Sequence, residues 1–242
     1  MCLSKDVEMA VIQKRGSFLI AMDDGIDNIA KRASEEIHSS RPTEMIFSSF
    51  GFRSPIISEK YANVIPQDKS IKEKTCLIIP FAGFNFERTA ELEKEGLVNF
   101  GFAPDNVIAF SDDVLSAPMF IFDYIYVPGG DPFKLLSEIK KRSLRSEIRH
   151  RVLTYKTAYI GVSSGAYVAS NNIEYVKQLE DDNWGENDYE ALGLVPNPII
   201  CHTDHYSISQ IKSCEEIAQI KSILLKDDQL VHFKNDKWSY VE

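Results

Sequence analysis

Cysteine is scarce in this chain of 242 residues, and its four copies, Cys2, Cys76, Cys201 and Cys214, are scattered. They form no C-x-x-C pair and no metal-ligand spacing, so neither a disulfide scaffold nor a zinc module is expected. Long apolar runs are missing too. One of the longest, from Ala117 to Phe122, falls far short of the ~20 residues that a membrane span needs. Lys5, Asp6 and Glu8 stand near the start with no signal-type apolar region behind them, so no secretory leader is read. Basic residues are in the minority, 27 Lys and Arg against 36 Asp and Glu, for a formal charge of −9. Phosphate contacts come mainly from Lys and Arg, so a non-specific nucleic-acid binder is not expected. Internal repeats and low-complexity tracts are absent. A soluble, reduced, cytoplasmic protein is the expectation, with neither nucleic acid nor membrane as partner. A homo-oligomer is compatible with the chain, but nothing in the sequence specifies one.

Hydrophobic residues make up 44% of the chain, enough for a sizeable core. Residues 1–43 differ in character from the rest. Asp27 to Ile37 reads as an amphipathic helix, with Ile29, Ala33 and Ile37 four apart, before the breaker Ser39-Ser40-Arg41-Pro42. We read 1–43 as an N-terminal extension and 44–242 as the main domain.

From Met45 onward, strands and helices alternate. Strands are expected at Met45–Phe50, Thr75–Phe81, Asn106–Phe110, Asp123–Val127 and Ala158–Val162. Their nearly unbroken apolar runs suit strands buried on both faces. Helices are expected from Glu87 to Phe100, Pro132 to Lys141, Leu144 to Tyr155 and Ala166 onward. Asp131 is a natural N-cap for the second of these, with Pro132 at its first position. Gln229–Phe233 and Trp238–Val241, around Asn235-Asp236, read as a C-terminal β-hairpin. The class is α/β, a mostly parallel sheet with helices on both faces.

The sharpest local signal is Gly161-Val162-Ser163-Ser164-Gly165, a G-x-S-x-G stretch between an expected strand and an expected helix. Glycines two before and two after Ser163 permit a tight turn, which lifts the hydroxyl clear of the sheet's carboxyl edge, where ligands bind in open α/β sheets. The bland alternative is close helix–strand packing that happens to match the pattern. Gly129-Gly130 ends the neighbouring strand and offers backbone N–H groups to the same crevice, or simply makes a turn that needs positive φ.

A nucleophilic serine requires a base. Of five histidines, His38 lies in the extension, His150 on a basic helix and His232 in the hairpin. His202 and His205 remain, in Cys201-His202-Thr203-Asp204-His205, where an apolar strand runs into a polar cluster. H-x-D-H is loose spacing for a metal, and no metal or other cofactor is expected. A carboxylate must then hold the base's tautomer. Asp227 and Asp228 are the downstream candidates, though an Asp-Asp pair before a strand also reads as an ordinary turn.

Taken in series, these segments resemble peptidase family S51, which includes dipeptidase E. Asp123 to Leu136 is similar to the family's "D-x-I-x-x-x-G-G-N-T-F-x-L-L", and Tyr159 to Ala166 to its "Y-I-G-x-S-A-G-A". Leu192 to Pro196, followed by Cys201 to Asp204, is similar to "L-G-L-x-P…P-H-x-D". Lys226 to Gln229 matches a C-terminal acidic turn, and Ser49 to Phe52 an opening "S-S-G-F". The resemblance spans roughly residues 44–240.

It implies a flavodoxin-like fold of the class I glutamine amidotransferase type and a serine peptidase acting on short peptides. Ser163 falls on the nucleophile, His202 on the base and Asp227 on the acid, with His205 and Asp228 as alternatives. The backbone N–H groups of Gly130 and Ser164 fall on the oxyanion hole. Asp131-Pro132 departs from the family's Asn-Thr, Ser164 from its Ala and Cys201 from its Pro. A carboxylate at 131 would oppose an oxyanion if it pointed inward and would be harmless as a helix cap. Asp131 and the changed histidine segment motivate a second reading, a catalytically silent binding or regulatory member. A third, a glutamine amidotransferase, lacks the cysteine its chemistry needs on the elbow. The acidic stretch Glu180 to Glu190, anchored by Trp184, reads as a solvated loop or as a lid that disfavours acidic substrates.

Overall fold

A computed structural model describes residues 43–110, 122–185 and 187–241. The expected helix at 27–37, Cys2, His38 and most of the apolar run at 117–122 lie outside the described residues. Five strands run parallel: β1 (Glu44–Ser48), β2 (Cys76–Ile78), β3 (Val107–Ala109), β4 (Tyr124–Val127) and β5 (Ala158–Val162). Two more, β8 (Leu230–Lys234) and β9 (Lys237–Val241), add antiparallel at the β1 edge, giving the order β3-β2-β4-β5-β1-β8-β9. Asn235 and Asp236 both take positive φ, 54° and 58°, as the tight turn of a two-residue hairpin demands. A separate parallel pair, β6 (Ile199–Ile200) with β7 (Ile223–Leu224), stands beside the sheet.

Alternation along each strand divides the core between two faces. Phe47, Leu77, Ile125, Val127 and Tyr159 point to one face, beneath helices placed after β4 and β5. Ile46, Cys76, Ile78, Tyr126 and Ile160 point to the other. Helices α1 (Pro55–Ala62) and α2 (Phe86–Phe100) cover that second face through Ile57, Tyr61, Leu97 and Phe100. Helices α3 (Pro132–Lys141) and α4 (Leu144–Leu153) cover the first through Phe133, Leu136, Ile148 and Val152. The expected flavodoxin-like α/β architecture is what forms.

Local capping explains several boundaries. Asp131 Oδ1 accepts from the backbone N–H groups of Phe133 and Lys134, both at 2.9 Å, and so starts α3. One expectation differs. The helix expected from Ala166 onward starts two residues earlier and is a single turn, α5 (Ser164–Tyr167). The carbonyls of Val168, Ala169 and Ser170, which a longer helix would use internally, accept instead from Leu192, Leu194, Val195 and Gly193. Helix α6 (Ile208–Ala218) went unread, although Ser207 and Gln210 form a full capping box at its start. Within it only Cys214 is fully buried, with Ile211 and Ala218 partly buried against the core.

Candidate active site

Three segments that meet beyond the carboxyl end of β5 build the site: the turn after β5, the end of β6 and the turn between β7 and β8. Ser163 follows β5 directly, and its backbone is strained at φ 50°, ψ −110°, a region a residue with a Cβ seldom occupies. Neighbouring bonds over-determine that turn. Ser163 N donates to Ser48 O at 2.9 Å, and Ser163 O accepts from Ala166 N and Tyr167 N at 2.8 and 3.0 Å. The flanking glycines are spatially required. A Cβ on Gly165 would lie 2.0 Å from Val127 O, and one on Gly161 2.6 Å from Gly165 O.

His202 arrives from the end of β6 in left-handed geometry, φ 57°, ψ 36°. Its N–H donates to Ser49 Oγ at 3.0 Å, and its ring forms a T-shaped pair with Phe50, the ring centres 5.2 Å apart. Asp227 sits on the turn between β7 and β8, closed by Gln229 N donating to Lys226 O at 3.0 Å. The three side chains form one hydrogen-bonded chain: Ser163 Oγ to His202 Nε2 at 3.2 Å, and His202 Nδ1 to Asp227 Oδ1 at 2.6 Å. Asp228 is exposed and lies outside this chain. His205 bonds the other oxygen of Asp227, at 2.7 Å, rather than Ser163. Burial pushes the Asp227 carboxyl up, but hydrogen bonds from His205 and His202 and their charges outweigh it, leaving the group below the usual carboxylate range.

Gly130 stands beside the serine with φ 145°, and a Cβ there would lie 2.5 Å from Ala82 O. Among the described residues the backbone N–H groups of Gly130 and Ser164 have no backbone acceptor. Ser164 Oγ donates to Gly130 O, tying the two turns together. Asp131 is turned away by its bonds. Its Oδ1 caps α3, and its Oδ2 accepts from the indole N–H of Trp184 at 2.8 Å. Cys201 is buried next to the histidine and its thiol is pushed up to about 12, so it is no thiolate nucleophile.

A cleft of about 260 Å³ is lined by Ser163, His202, Gly129, Gly130, Phe50 and Gly51, and also by Arg53, Glu93 and Tyr126. Sequence reasoning missed those last three. Glu93 Oε2 accepts from Tyr126 OH at 2.6 Å and Oε1 pairs with Arg53 Nε at 3.3 Å. A signal did exist: Glu93 falls on the buried stripe of α2, with Ala90, Gly96, Leu97 and Phe100, where an unpaired carboxylate is costly. A second cavity of about 570 Å³ adjoins Gly130 on the side of Asp131, Lys177, Glu180 and Phe84. Among the described residues no cluster of three or more His, Cys, Asp or Glu is placed to hold a metal, and no helix is long and apolar enough to cross a membrane.

A model of peptidase family S51 matches residues 57–241 of the chain. An uncharacterized peptidase of Listeria innocua is 27% identical over 199 residues, covering 72% of this chain and 93% of the relative. A probable alpha-aspartyl dipeptidase of Drosophila melanogaster is 28% identical over 134 residues, covering 55% of this chain and 54% of the relative. Among solved structures, one named for peptidase E from Listeria monocytogenes superposes with a TM-score of 0.66. It is 19% identical, and the match covers 82% of this chain and 98% of that one.

Proposed function

Because the chain belongs to peptidase family S51, we propose that it is a serine peptidase that cleaves short peptides, with Ser163 as nucleophile. The observation that carries the reading is the continuous hydrogen-bonded chain from Ser163 Oγ through His202 to Asp227. Ser163 Oγ attacks the scissile carbonyl carbon as His202 Nε2 takes its proton. Asp227 accepts from His202 Nδ1, holding the tautomer and stabilising the imidazolium. The carbonyl oxygen becomes an oxyanion that the N–H groups of Gly130 and Ser164 receive. The C–N bond then breaks as His202 returns the proton to the leaving amine, and an acyl ester remains on Ser163. Water, deprotonated by His202, hydrolyses that ester and frees the acid product.

The small cleft supports short substrates. At about 260 Å³ it lies just below the range of ligand pockets, which run from ~300 Å³ upward. Of the two grounds for the silent-member reading, Asp131 and the changed histidine segment, the first is weakened, because Asp131 Oδ1 caps α3 and its Oδ2 accepts from Trp184. A dipeptide panel with purified protein tests the proposal. Ser163→Ala is expected to lose about 10³-fold or more in kcat, and a fluorophosphonate probe is expected to label Ser163 alone. Hydrolysis that survives the substitution removes Ser163 from the mechanism.

A further inference from the structure

His205 is exposed, yet it makes a short, directed bond to the carboxylate that holds the candidate base. Its placement follows from backbone geometry. Residues Thr203–His205 form a 3₁₀ turn, closed by His205 N donating to His202 O at 2.9 Å. His202 leads into the turn in left-handed conformation, and its ring and that of His205 come to the same side, both facing Asp227. Their rings lie 6.0 Å apart and perpendicular. The turn is pinned to the Asp227 strand end by Thr203 N donating to Leu225 O at 3.0 Å. Asp227 therefore meets one imidazole on each oxygen, His202 at 2.6 Å on Oδ1 and His205 at 2.7 Å on Oδ2.

The second bond answers a physical need. Asp227 stands on a turn with its side chain 31% exposed, where water competes for its oxygens and the carboxylate can rotate. One hydrogen bond fixes a point, whereas two on opposite oxygens fix the plane. We infer that His205 is a positioning residue of the proposed reaction, donating from Nε2 to Asp227 Oδ2 so that Oδ1 stays aimed at His202 Nδ1. The inference rests on the reading of Ser163 as nucleophile for its kinetic consequence but not for its structural one. His205 makes no bond to Ser163, and its side chain is 62% exposed, so replacing it leaves the core intact.

Two readouts test it. Displacements of about 1 Å in such machinery can cost ~10²-fold in rate, so His205→Ala is expected to lower kcat by roughly tenfold to a hundredfold with KM unchanged. His205→Gln, which retains an N–H donor at similar reach, is expected to restore most of the loss. Independently, the proton shared by His202 Nδ1 and Asp227 should give a downfield NMR signal in Ser163→Ala protein. That signal is expected to broaden or vanish with His205→Ala and to return with His205→Gln. An unchanged signal together with unchanged kcat in His205→Ala overturns the inference. So does a failure of His205→Gln to restore either one in folded protein, because the imidazole itself would then be needed. Because the signal is read without an active serine, a failure of the nucleophile assignment is seen separately, in Ser163→Ala activity.

Discussion

Trp184 donates its indole N–H to Asp131 at 2.8 Å, tying the acidic 180–185 stretch to the start of α3. The same carboxylate caps the helix with its other oxygen. A negative charge adjacent to the candidate oxyanion site is thereby held facing the helix and the loop. Most described residues of the stretch are exposed, as in a solvated loop anchored by Trp184, and Tyr189 OH closes it on itself by donating to Asp182 Oδ2 at 2.8 Å.

Asp131→Asn should keep the cap but lose the loop tie. Asparagine caps a helix about as well as aspartate, but its amide nitrogen cannot accept from the Trp184 indole N–H, so a stability loss of about 1 kcal/mol is expected with kcat within about threefold. Asp131→Ala removes the cap as well and should cost about a further 1 kcal/mol in urea denaturation. A large rise in kcat for Asp131→Asn would mean that the charge does reach the oxyanion.

Strain at the elbow should be measurable as stability. Ser163 occupies φ 50°, ψ −110°, a conformation that glycine adopts without a Cβ penalty. Ser163→Gly is expected to be more stable than Ser163→Ala by about 1 kcal/mol, both being inactive. Gly165→Ala should do the reverse. Its Cβ would lie 2.0 Å from the Val127 carbonyl oxygen, and backbone cannot move aside cheaply, so a loss of about 3 kcal/mol or more is expected.

Glu180 should make stability pH-dependent in a particular direction. Burial, and then the nearby Asp131, push its carboxyl from 4.5 up to about 7. The folded chain thus holds a proton that the unfolded chain has already released. Stability contributed by this group is present below pH 4.5 and declines as pH rises toward about 7. Glu180→Gln abolishes that decline. The variant should match the parent at pH 4 and exceed it above pH 7 by about 1–2 kcal/mol, after allowance for solvent screening. Urea midpoints at both pH values check the sign.

Much of the fold was readable because its signals are local. The apolar runs at Tyr124–Val127 and Ala158–Val162 need no knowledge of neighbours to be read as buried strands. Asp131 and Pro132 start α3 where the sequence places it, and the helix ends at Lys141 as expected. The one-turn α5 was not readable, because its carbonyls are captured by residues 192–195, a segment remote in sequence. Arg53, Glu93 and Tyr126 form a group only after α2 packs on β4.

The order of amino acids specifies the alternating strands and helices, the glycines that allow a serine on a sharp turn, and a short set of histidines and aspartates. Which of these meet depends on how the chain packs. Ser163, His202 and Asp227 lie on three separate segments, and side-chain chemistry carries no information about distances across such gaps. Backbone bonds from Ser163 to Ser48 and from Thr203 to Leu225 close them. The choice between His202 and His205 turns on a single left-handed residue and the 3₁₀ turn after it. That geometry is set by packing at the sheet edge, so His202 faces the serine and both histidines share Asp227.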